Sequence, residues 1–237
     1  MSDAPVLLTL DVDWAPDFVI DAVAALFIAR DAKATWLITH RSAAVDRLRE
    51  HADLFELGIH PNFREGSTHG STPAEVLRHC LDLVPEAVSM RTHSLMQSTP
   101  LLTLVAETTP IRVDASLLLP RVAGLRPFDQ PFGSSTLVRV PCDWEDDVEM
   151  AFPSPRCDAR AVLAEPGLRT FNFHPMHVYL NSRDMNAYAA VRRTGLYGAR
   201  EEDVRPHVSE GEGTGTMLRA LLEQVTPSRL GLLRDFA

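Results

Sequence analysis

Residues 5–14 read PVLLTLDVDW, a short apolar run that ends abruptly in two acids. A run of this length rich in Val and Leu predicts a buried parallel strand over Pro5–Leu10 rather than an amphipathic helix. Asp11 then stands at the carboxyl end of that strand. Asp13 follows two residues later, and on a continued strand its side chain would point the same way as that of Asp11.

Strand-like and helix-like segments alternate through the rest of the chain. Further strands are predicted at Ala34–Thr39, Leu54–Ile59, Ala87–Met90, Ile111–Ala115, Leu137–Val140 and Thr170–Phe173. Helices are predicted at Ala15–Arg30, Ser42–His51, Thr72–Leu83, Pro100–Thr108, Arg183–Arg192 and Thr216–Gln224. This alternation predicts an α/β fold with a mostly parallel sheet covered by helices, and the number of strands favours a distorted (β/α) barrel.

The chain of 237 residues contains no repeat of fixed period and no linker rich in Gly, Ser or Pro. We therefore predict a single domain over residues 1–237. The most linker-like segment is Ser209–Thr214, SEGEGT. Residues 205–237 are predicted to form a C-terminal extension that packs on the barrel or lies across a neighbouring subunit, which leaves a homo-oligomer open.

The composition of the chain limits its possible binding partners and its cellular location. The formal net charge is -9, with 23 basic and 32 acidic residues, and this excess of acid argues against binding to nucleic acid. No apolar run approaches the ~18 residues of a membrane span. The amino terminus lacks the features of a secretory signal, so a cytoplasmic location is expected. The cysteines are predicted to be reduced thiols, because none forms a CxxC pair: Cys80, Cys142 and Cys157.

Acid or imidazole follows five strand-like runs of the chain. Ligands of α/β proteins bind beyond the carboxyl ends of the strands, so these positions are the first candidates for a site. They include Asp11, Asp13, His60, His93, Asp143 and His174. Zinc accepts carboxylate oxygens and neutral imidazole nitrogens, and a catalytic zinc needs about three protein ligands and an open position. The pattern predicts a divalent metal site with a carboxylate and a histidine left to act as base and acid.

Several of these residues also have a structural interpretation. Asp13 could instead cap the helix that begins near Pro16, which is a common role for Asp. His60 or His93 could donate a hydrogen bond to a loop carbonyl rather than bind a metal. Arg91 could hold a substrate carboxylate or phosphate, but the favoured prediction is that it pairs with an active-site Asp.

The two histidines of the segment His174-Pro-Met-His177 compete for one position facing the centre. His174 is preferred because it follows the strand directly. Asp143 and Trp144 could position His174 and line the substrate pocket, or they could be a surface acid beside a core Trp. His40 is kept in reserve. The other histidines are interpreted as ordinary surface or loop residues: His51, His69, His79 and His207.

Four motifs together resemble the polysaccharide deacetylase superfamily. These are LTLDVDW at 8–14, GIHPNF at 58–63, RTHSL at 91–95 and FHPMHVYLN at 173–181. This superfamily has the NodB-homology fold, also called the carbohydrate esterase family 4 fold. The resemblance is strongest to its WbmS-like branch from O-antigen gene clusters, and it runs from Leu7 to about Leu180.

The resemblance implies a role for each matching residue. Asp11 corresponds to the catalytic base and Asp13 to a metal ligand, although one residue separates acids that are adjacent in the usual motif. His60 corresponds to a metal ligand of the second motif. Arg91 is implied to hold the base, and His174 to protonate the leaving group.

The chain departs from the family pattern at two positions. Arg64 stands where the second motif has another His, and His93 stands where the third motif has Pro. On chemical grounds we predict that His93 replaces the missing imidazole as a metal ligand. Substrate contacts are predicted for Asn62, Trp14, Asp143 and Trp144.

The function implied is that of a zinc-dependent hydrolase that removes an acyl group from an N-acylated sugar in the synthesis of a surface polysaccharide. The substrate would be a small carbohydrate. Two alternatives stay open: hydrolysis of another small linear or cyclic amide, and a carbohydrate-binding domain that has lost its metal and its activity.

Overall fold

The computed structural model describes residues 5–193, 195 and 198–237. Residues 1–4, on which the expectation for the amino terminus partly rests, lie outside the described residues. The strands are β1 (Val6–Asp11), β2 (Ala34–Ile38), β3 (Phe55–Ile59), β4 (Ser89–Met90), β5 (Val113–Asp114), β6 (Phe128–Phe132), β7 (Ser135–Arg139), β8 (Trp144–Glu145), β9 (Arg169–Phe173) and β10 (Leu230–Gly231).

Among the described residues, six helices begin and end close to where apolar spacing and capping residues predict, and four shorter helices were not predicted: Asp146–Ala151, Ala159–Ala164, Pro175–Leu180 and Glu201–Val204. The helices are α1 (Asp17–Ile28), α2 (Ala43–Arg49), α3 (Pro73–Leu83), α4 (Thr99–Thr108), α5 (Asp146–Ala151), α6 (Ala159–Ala164), α7 (Pro175–Leu180), α8 (Met185–Arg192), α9 (Glu201–Val204) and α10 (Thr214–Gln224). The start of α3 shows the cause: the Thr72 hydroxyl accepts a hydrogen bond from the Glu75 amide, and the Glu75 carboxylate accepts one from the Thr72 amide. This reciprocal pair satisfies two amides that the helix itself cannot.

One sheet contains these strands in the order β6-β7-β5-β4-β3-β2-β1-β9-β8, with β10 paired to β1. The pairs are parallel except for β6 with β7. This confirms the prediction of an α/β fold with a mostly parallel, barrel-like sheet. The exception has a local cause, because Gly133 between β6 and β7 has φ 59°, a conformation that suits glycine and closes a tight hairpin.

The two faces of the sheet have different cores. On β1, Leu8 and Leu10 pack outward against the helices, whereas Leu7 packs in a separate inner cluster. The members of the inner cluster come from strands far apart in the sheet and from the C-terminal segment: Leu7, Leu37, Val113, Ala115, Val140, Leu168 and Leu233. Their contact shows that the sheet curves around a closed interior, into which Asp11 also points.

The C-terminal segment seals the bottom of this interior. Strand β10 pairs with the start of β1, at Val6 and Leu7. Beyond it, the Leu233 amide donates to Thr35 Oγ1 at 3.1 Å and the Arg234 amide donates to Glu56 Oε2 at 2.8 Å. Helix α10 buries Leu218 and Leu221 in the outer core. We propose on this basis that residues 1–237 are one domain, with residues 205–237 as an extension packed on it.

Among the described residues, no helix combines the length and the apolar character that crossing a bilayer requires.

Candidate active site

Asp13, His60 and His93, here called the Asp-His-His triad, meet above the carboxyl ends of β1, β3 and β4. Asp13 Oδ1 lies 3.2 Å from His60 Nε2 and 3.0 Å from His93 Nδ1. The two imidazole nitrogens lie 3.3 Å apart. Burial opposes ionisation of Asp13, but hydrogen bonds from His60 and His93 outweigh it and hold the pKa of Asp13 well below its ordinary value.

A sharp turn after β1 brings Asp13 into the triad. Asp13 and Trp14 have φ of 45° and 57°, so the strand does not continue through them as the alternating pattern would have it. The N-cap of α1 is Pro16, and no side chain caps the helix there. The interpretation of Asp13 as a helix cap is therefore wrong. Residues other than glycine in the left-handed region carry backbone strain, and such residues cluster at functional sites.

Backbone hydrogen bonds fix the two histidines of the triad. The His60 amide donates to the Ile38 carbonyl at 3.0 Å, which extends the parallel ladder one residue past β3. The His93 amide donates to the Pro61 carbonyl at 2.9 Å, so the loop after β4 is tied to the loop after β3. Neighbouring parallel strands thus place both imidazoles at the same rim.

Asp11 lies beneath the triad in a buried network. Its Oδ1 accepts a hydrogen bond from Arg91 Nη1 at 3.0 Å, and its Oδ2 accepts one from Asn172 Nδ2 at 2.9 Å. Burial raises the pKa of Asp11, but His60 and Arg91 lower it more, and the net pKa lies below the ordinary 3.8. Asp11 is thus held as a carboxylate, 3.7 Å from His60 Nδ1.

His174 faces the triad from the end of β9, and Asp146 holds it there. His174 Nδ1 lies 2.6 Å from Asp146 Oδ1, and the His174 amide donates to Asp146 Oδ2 at 2.8 Å. His174 Nε2 points the other way and lies 3.8 Å from Asp13 Oδ2. Burial lowers the pKa of His174, but the charge and hydrogen bond of Asp146 raise it well above 6.5.

Asp146, not Asp143, contacts His174, so the prediction that Asp143 positions His174 is wrong. Asp143 Oδ1 accepts a hydrogen bond from the Thr170 amide at 3.0 Å, and Asp143 Oδ2 lies 3.0 Å from Arg169 Nη1. Asp143 therefore joins β9 to the segment before β8. The acid that holds His174 is Asp146, three positions later at the start of α5.

Trp144 also lies away from the position predicted for it. It packs against Phe171 and Phe173 in the core between the sheet and the helices, and its Nε1 donates to the Arg156 carbonyl at 3.0 Å. The same side chain lines a cavity of about 190 Å³ shared with Asp146. A contact between Trp144 and the substrate stays a prediction.

Trp14 packs between two imidazoles at the rim. Its ring centroid lies 5.3 Å from that of His93 and 5.5 Å from that of His69. His69 is buried and accepts a hydrogen bond from the Asn62 amide, so its interpretation as an ordinary loop residue is wrong. Asn62 uses its side-chain oxygen to accept from the Arg64 amide at 3.1 Å, which shapes the loop.

The remaining histidine candidates have structural partners. His177 is buried, with Nδ1 3.0 Å from Ser182 Oγ, while His174 occupies the position that faces the triad. His40 Nδ1 lies 3.0 Å from Thr39 Oγ1. Burial lowers the pKa of both His177 and His40, so these two imidazoles are neutral at pH 7.

Two further residues of the site were missed by sequence reasoning. Asn172 binds Asp11 from the middle of the apolar strand β9, and a lone amide between Phe171 and Phe173 was the available signal. Glu145 is buried at the end of β8, and burial together with Asp147 raises its pKa to about 8. Strand β8 is only two residues long, so no alternation in the sequence could indicate that Glu145 is buried.

The triad fits a divalent ion such as zinc. Tetrahedral ligands ~2.0–2.1 Å from a zinc ion lie about 3.3–3.4 Å from one another. The three distances among the donor atoms of the triad, 3.0, 3.2 and 3.3 Å, are close to this spacing. One carboxylate and two imidazoles also match the donors that zinc prefers.

The barrel-like sheet gathers acid and imidazole at its strand ends, which is the arrangement of an α/β enzyme active site. A family model described as WbmS-like polysaccharide deacetylase matches residues 8–192. Because this is more than half of the chain, the protein belongs to that family.

A crystal structure from Bordetella bronchiseptica supports the assignment. The protein in it is described as a candidate polysaccharide deacetylase involved in O-antigen biosynthesis. It is 33% identical to this chain with a TM-score of 0.82, over 92% of this chain and 90% of that one.

A 4-alpha-glucanotransferase from Thermococcus litoralis is similar in fold alone. Its TM-score is 0.53 at 10% identity, over 96% of this chain and 36% of that one. No protein with a curated description matches the chain.

Proposed function

We propose that this protein is a zinc-dependent hydrolase that removes the acyl group from an N-acylated sugar. The observation that carries the proposal is the Asp-His-His triad, whose donor atoms have the mutual spacing of zinc ligands. The base and the acid that such a reaction needs lie on either side of the triad. A single-metal site of this kind leaves one coordination position open for water or substrate.

The proposed substrate is an amide-linked acyl group on a precursor of a surface polysaccharide. Membership of the polysaccharide deacetylase family supports the carbohydrate, and the Bordetella relative supports O-antigen synthesis. For the compartment we propose the cytoplasm, because all three cysteines are free thiols, which persist where the surroundings are reducing.

A divalent ion held by the triad would supply Lewis acidity, which lowers the pKa of water and polarises an acyl carbonyl. Asp11 is placed to take the proton that water loses as it attacks the acyl carbon. Arg91 and Asn172 donate to both of its oxygens, which keeps Asp11 ionised and fixes its direction.

His174 is the acid of the proposed reaction. Its protonated form is stabilised by Asp146 on Nδ1, and the opposite nitrogen, Nε2, faces the triad. As the C–N bond breaks, the proton on Nε2 passes to the departing amine nitrogen. Without this proton the amine is a poor leaving group, so an amide hydrolase needs an acid at this position.

The test compares two variants with a matched control. Asp11→Asn removes the base but keeps its volume, so we expect zinc to stay bound and turnover to fall about 10²–10⁴-fold. His93→Ala removes one donor of the triad, so we expect zinc affinity to fall. His207→Ala, outside the site, should leave both quantities unchanged.

Zinc content is measured by elemental analysis after dialysis, and turnover by release of acetate from an N-acetylated oligosaccharide. Normal turnover of Asp11→Asn would reject Asp11 as the base. Unchanged zinc affinity of His93→Ala would reject the Asp-His-His triad as the metal site.

A further inference from the structure

A second group of metal-type donors lies beside the triad. Glu145 at the end of β8, Asp147 in the first turn of α5 and His174 after β9 each offer a ligand atom, and these atoms lie within 4.8 Å of one another. Of the three, the proposed reaction uses only His174. Glu145 and Asp147 therefore have no role in the proposed reaction.

One oxygen of each carboxylate has no hydrogen-bond partner among the described residues. The Glu145 side chain is 6% exposed, and its Oε2 makes no hydrogen bond within the described part of the chain. Asp147 Oδ1 is likewise buried and unpartnered there. A buried carboxylate oxygen without a donor is costly, and native structures usually satisfy it with a proton, a solvent molecule or a cation.

His174 has the arrangement of a metal-binding imidazole as well as that of an acid. Nδ1 lies against Asp146, so the lone pair of a neutral ring is on Nε2. A carboxylate behind the ring in this way is the usual support of a metal-ligating histidine. Nε2 is also the atom that faces Asp13 Oδ2, at 3.8 Å.

We propose that Glu145, Asp147 and His174 form a second, weaker site for a divalent cation, and that filling it stops His174 from acting as the acid. This inference rests on the proposed function. A cation on Nε2 occupies the lone pair that must carry the proton to the leaving amine. Excess zinc would then inhibit the enzyme.

The order of filling follows from charge. Asp13 directs Oδ1 toward His60 and His93 and Oδ2 toward His174, so this carboxylate lies between the two sites. A dication in the triad repels a second one close by, and the repulsion is large at a site shielded from water. We expect at least about tenfold weaker affinity at the second site, equivalent to about 1.4 kcal/mol.

The test is a calorimetric titration of the metal-free protein with zinc. The wild type should show one tight and one weak site per chain. Asp147→Asn should lose the weak site and keep the tight one, and Asp53→Asn, at an exposed position, should keep both. A single site in the wild type, or a weak site that survives in Asp147→Asn, would overturn the proposal. If the wild type showed no tight site, this result would contradict the proposed function rather than the second site.

A second measurement tests the effect on His174 directly. The imidazole signals of His174 are followed by NMR as the pH is raised, with one and with two equivalents of zinc. One equivalent should leave the protonation step of His174 in place, and two should move it to lower pH, because zinc and the proton compete for Nε2. An unchanged step at two equivalents would refute the link between the second cation and the acid.

Discussion

Asp11 and Asp13 are separated by one valine, yet their surroundings suit them to different tasks. Asp11 receives hydrogen bonds from a guanidinium and an amide, which leave it ionised and fixed in direction. Asp13 instead contacts two imidazoles, and a carboxylate beside two imidazoles is a common set of metal ligands. The turn at Asp13 separates them, because it ends the strand that would have kept both on one face.

The pH dependence of activity tests the pairing of His174 with Asp146. In the proposed reaction His174 must be protonated to act, so we expect activity to be lost as the pH rises through its pKa. Asp146→Asn removes the charge that raises this pKa. We expect the alkaline limb of the kcat/KM profile to move to lower pH, by about one unit or more.

The matched control for that experiment is Asp143→Asn. Asp143 binds Arg169 and the Thr170 amide rather than His174, so its loss should leave the alkaline limb in place. An equal shift in the two variants would show that the displacement comes from general loosening of the site.

At this scale, sequence reasoning found the residue types but not every partner. Asp11, Asp13, His60, His93, Arg91 and His174 are brought to one rim, because parallel strands end on the same side. Asp143 was predicted to support His174 because it is the first acid after the predicted strand Leu137–Val140, and β8 was not predicted. Strand β8 lies between the two acids, so that Asp146 contacts His174 while Asp143 binds Arg169 and the Thr170 amide.

Among the elements, β3 and β4 approach closely because of one glycine. A Cβ on Gly58 would lie 2.6 Å from Ser89 Oγ and 2.8 Å from the Ser89 carbonyl oxygen. Only a residue without a side chain fits there. The same strands carry His60 and Arg91 into the site, so their spacing affects the triad as well as the core.

We expect Gly58→Ala to lower the free energy of unfolding by about 1–3 kcal/mol, the usual cost of overpacking. Gly198→Ala is the control, since a Cβ there meets no atom of the described residues within 4 Å. Urea denaturation of the two variants measures the effect. Equal stability of Gly58→Ala and wild type would mean that β4 moves aside at no cost.

Most elements predicted from sequence have enough residues to show a period, whereas β4 and β5, two residues each, were predicted from the longer apolar segments that contain them. Helices such as α1 and α3 and strands such as β1 and β3 lie within about two residues of prediction. Strands β8 and β10, also two residues each, show no alternation and were missed. Strand β6 was missed because its residues are mostly exposed, and only its partner β7 shows an apolar pattern.

For the molecule as a whole, Glu145 links folding stability to pH. Its pKa rises from the ordinary 4.5 to about 8 in the fold, chiefly through burial. Between these values the folded chain binds a proton that the unfolded chain does not. Stability in the metal-free protein should therefore fall as the pH rises from about 4.5 to about 8.

Glu145→Gln removes this proton uptake. We expect the variant to exceed the wild type in stability at pH 8.5 by about 1 kcal/mol or more, and the difference to shrink at pH 5. Urea unfolding at several pH values, with chelator present, measures both. Parallel curves for the two proteins would show that Glu145 does not titrate in this range.

The network beneath the triad joins distant parts of the chain. Asp11 and its partner Asn172 are 161 residues apart, and β1 pairs along its length with β9. At ~5–20 residues per second, a ribosome needs on the order of ten to thirty seconds to make the chain between them. During that interval the proposed base has no amide beside it, and the apolar β1 has no strand on one side. The nascent chain therefore emerges with an unpaired strand edge at its proposed catalytic centre.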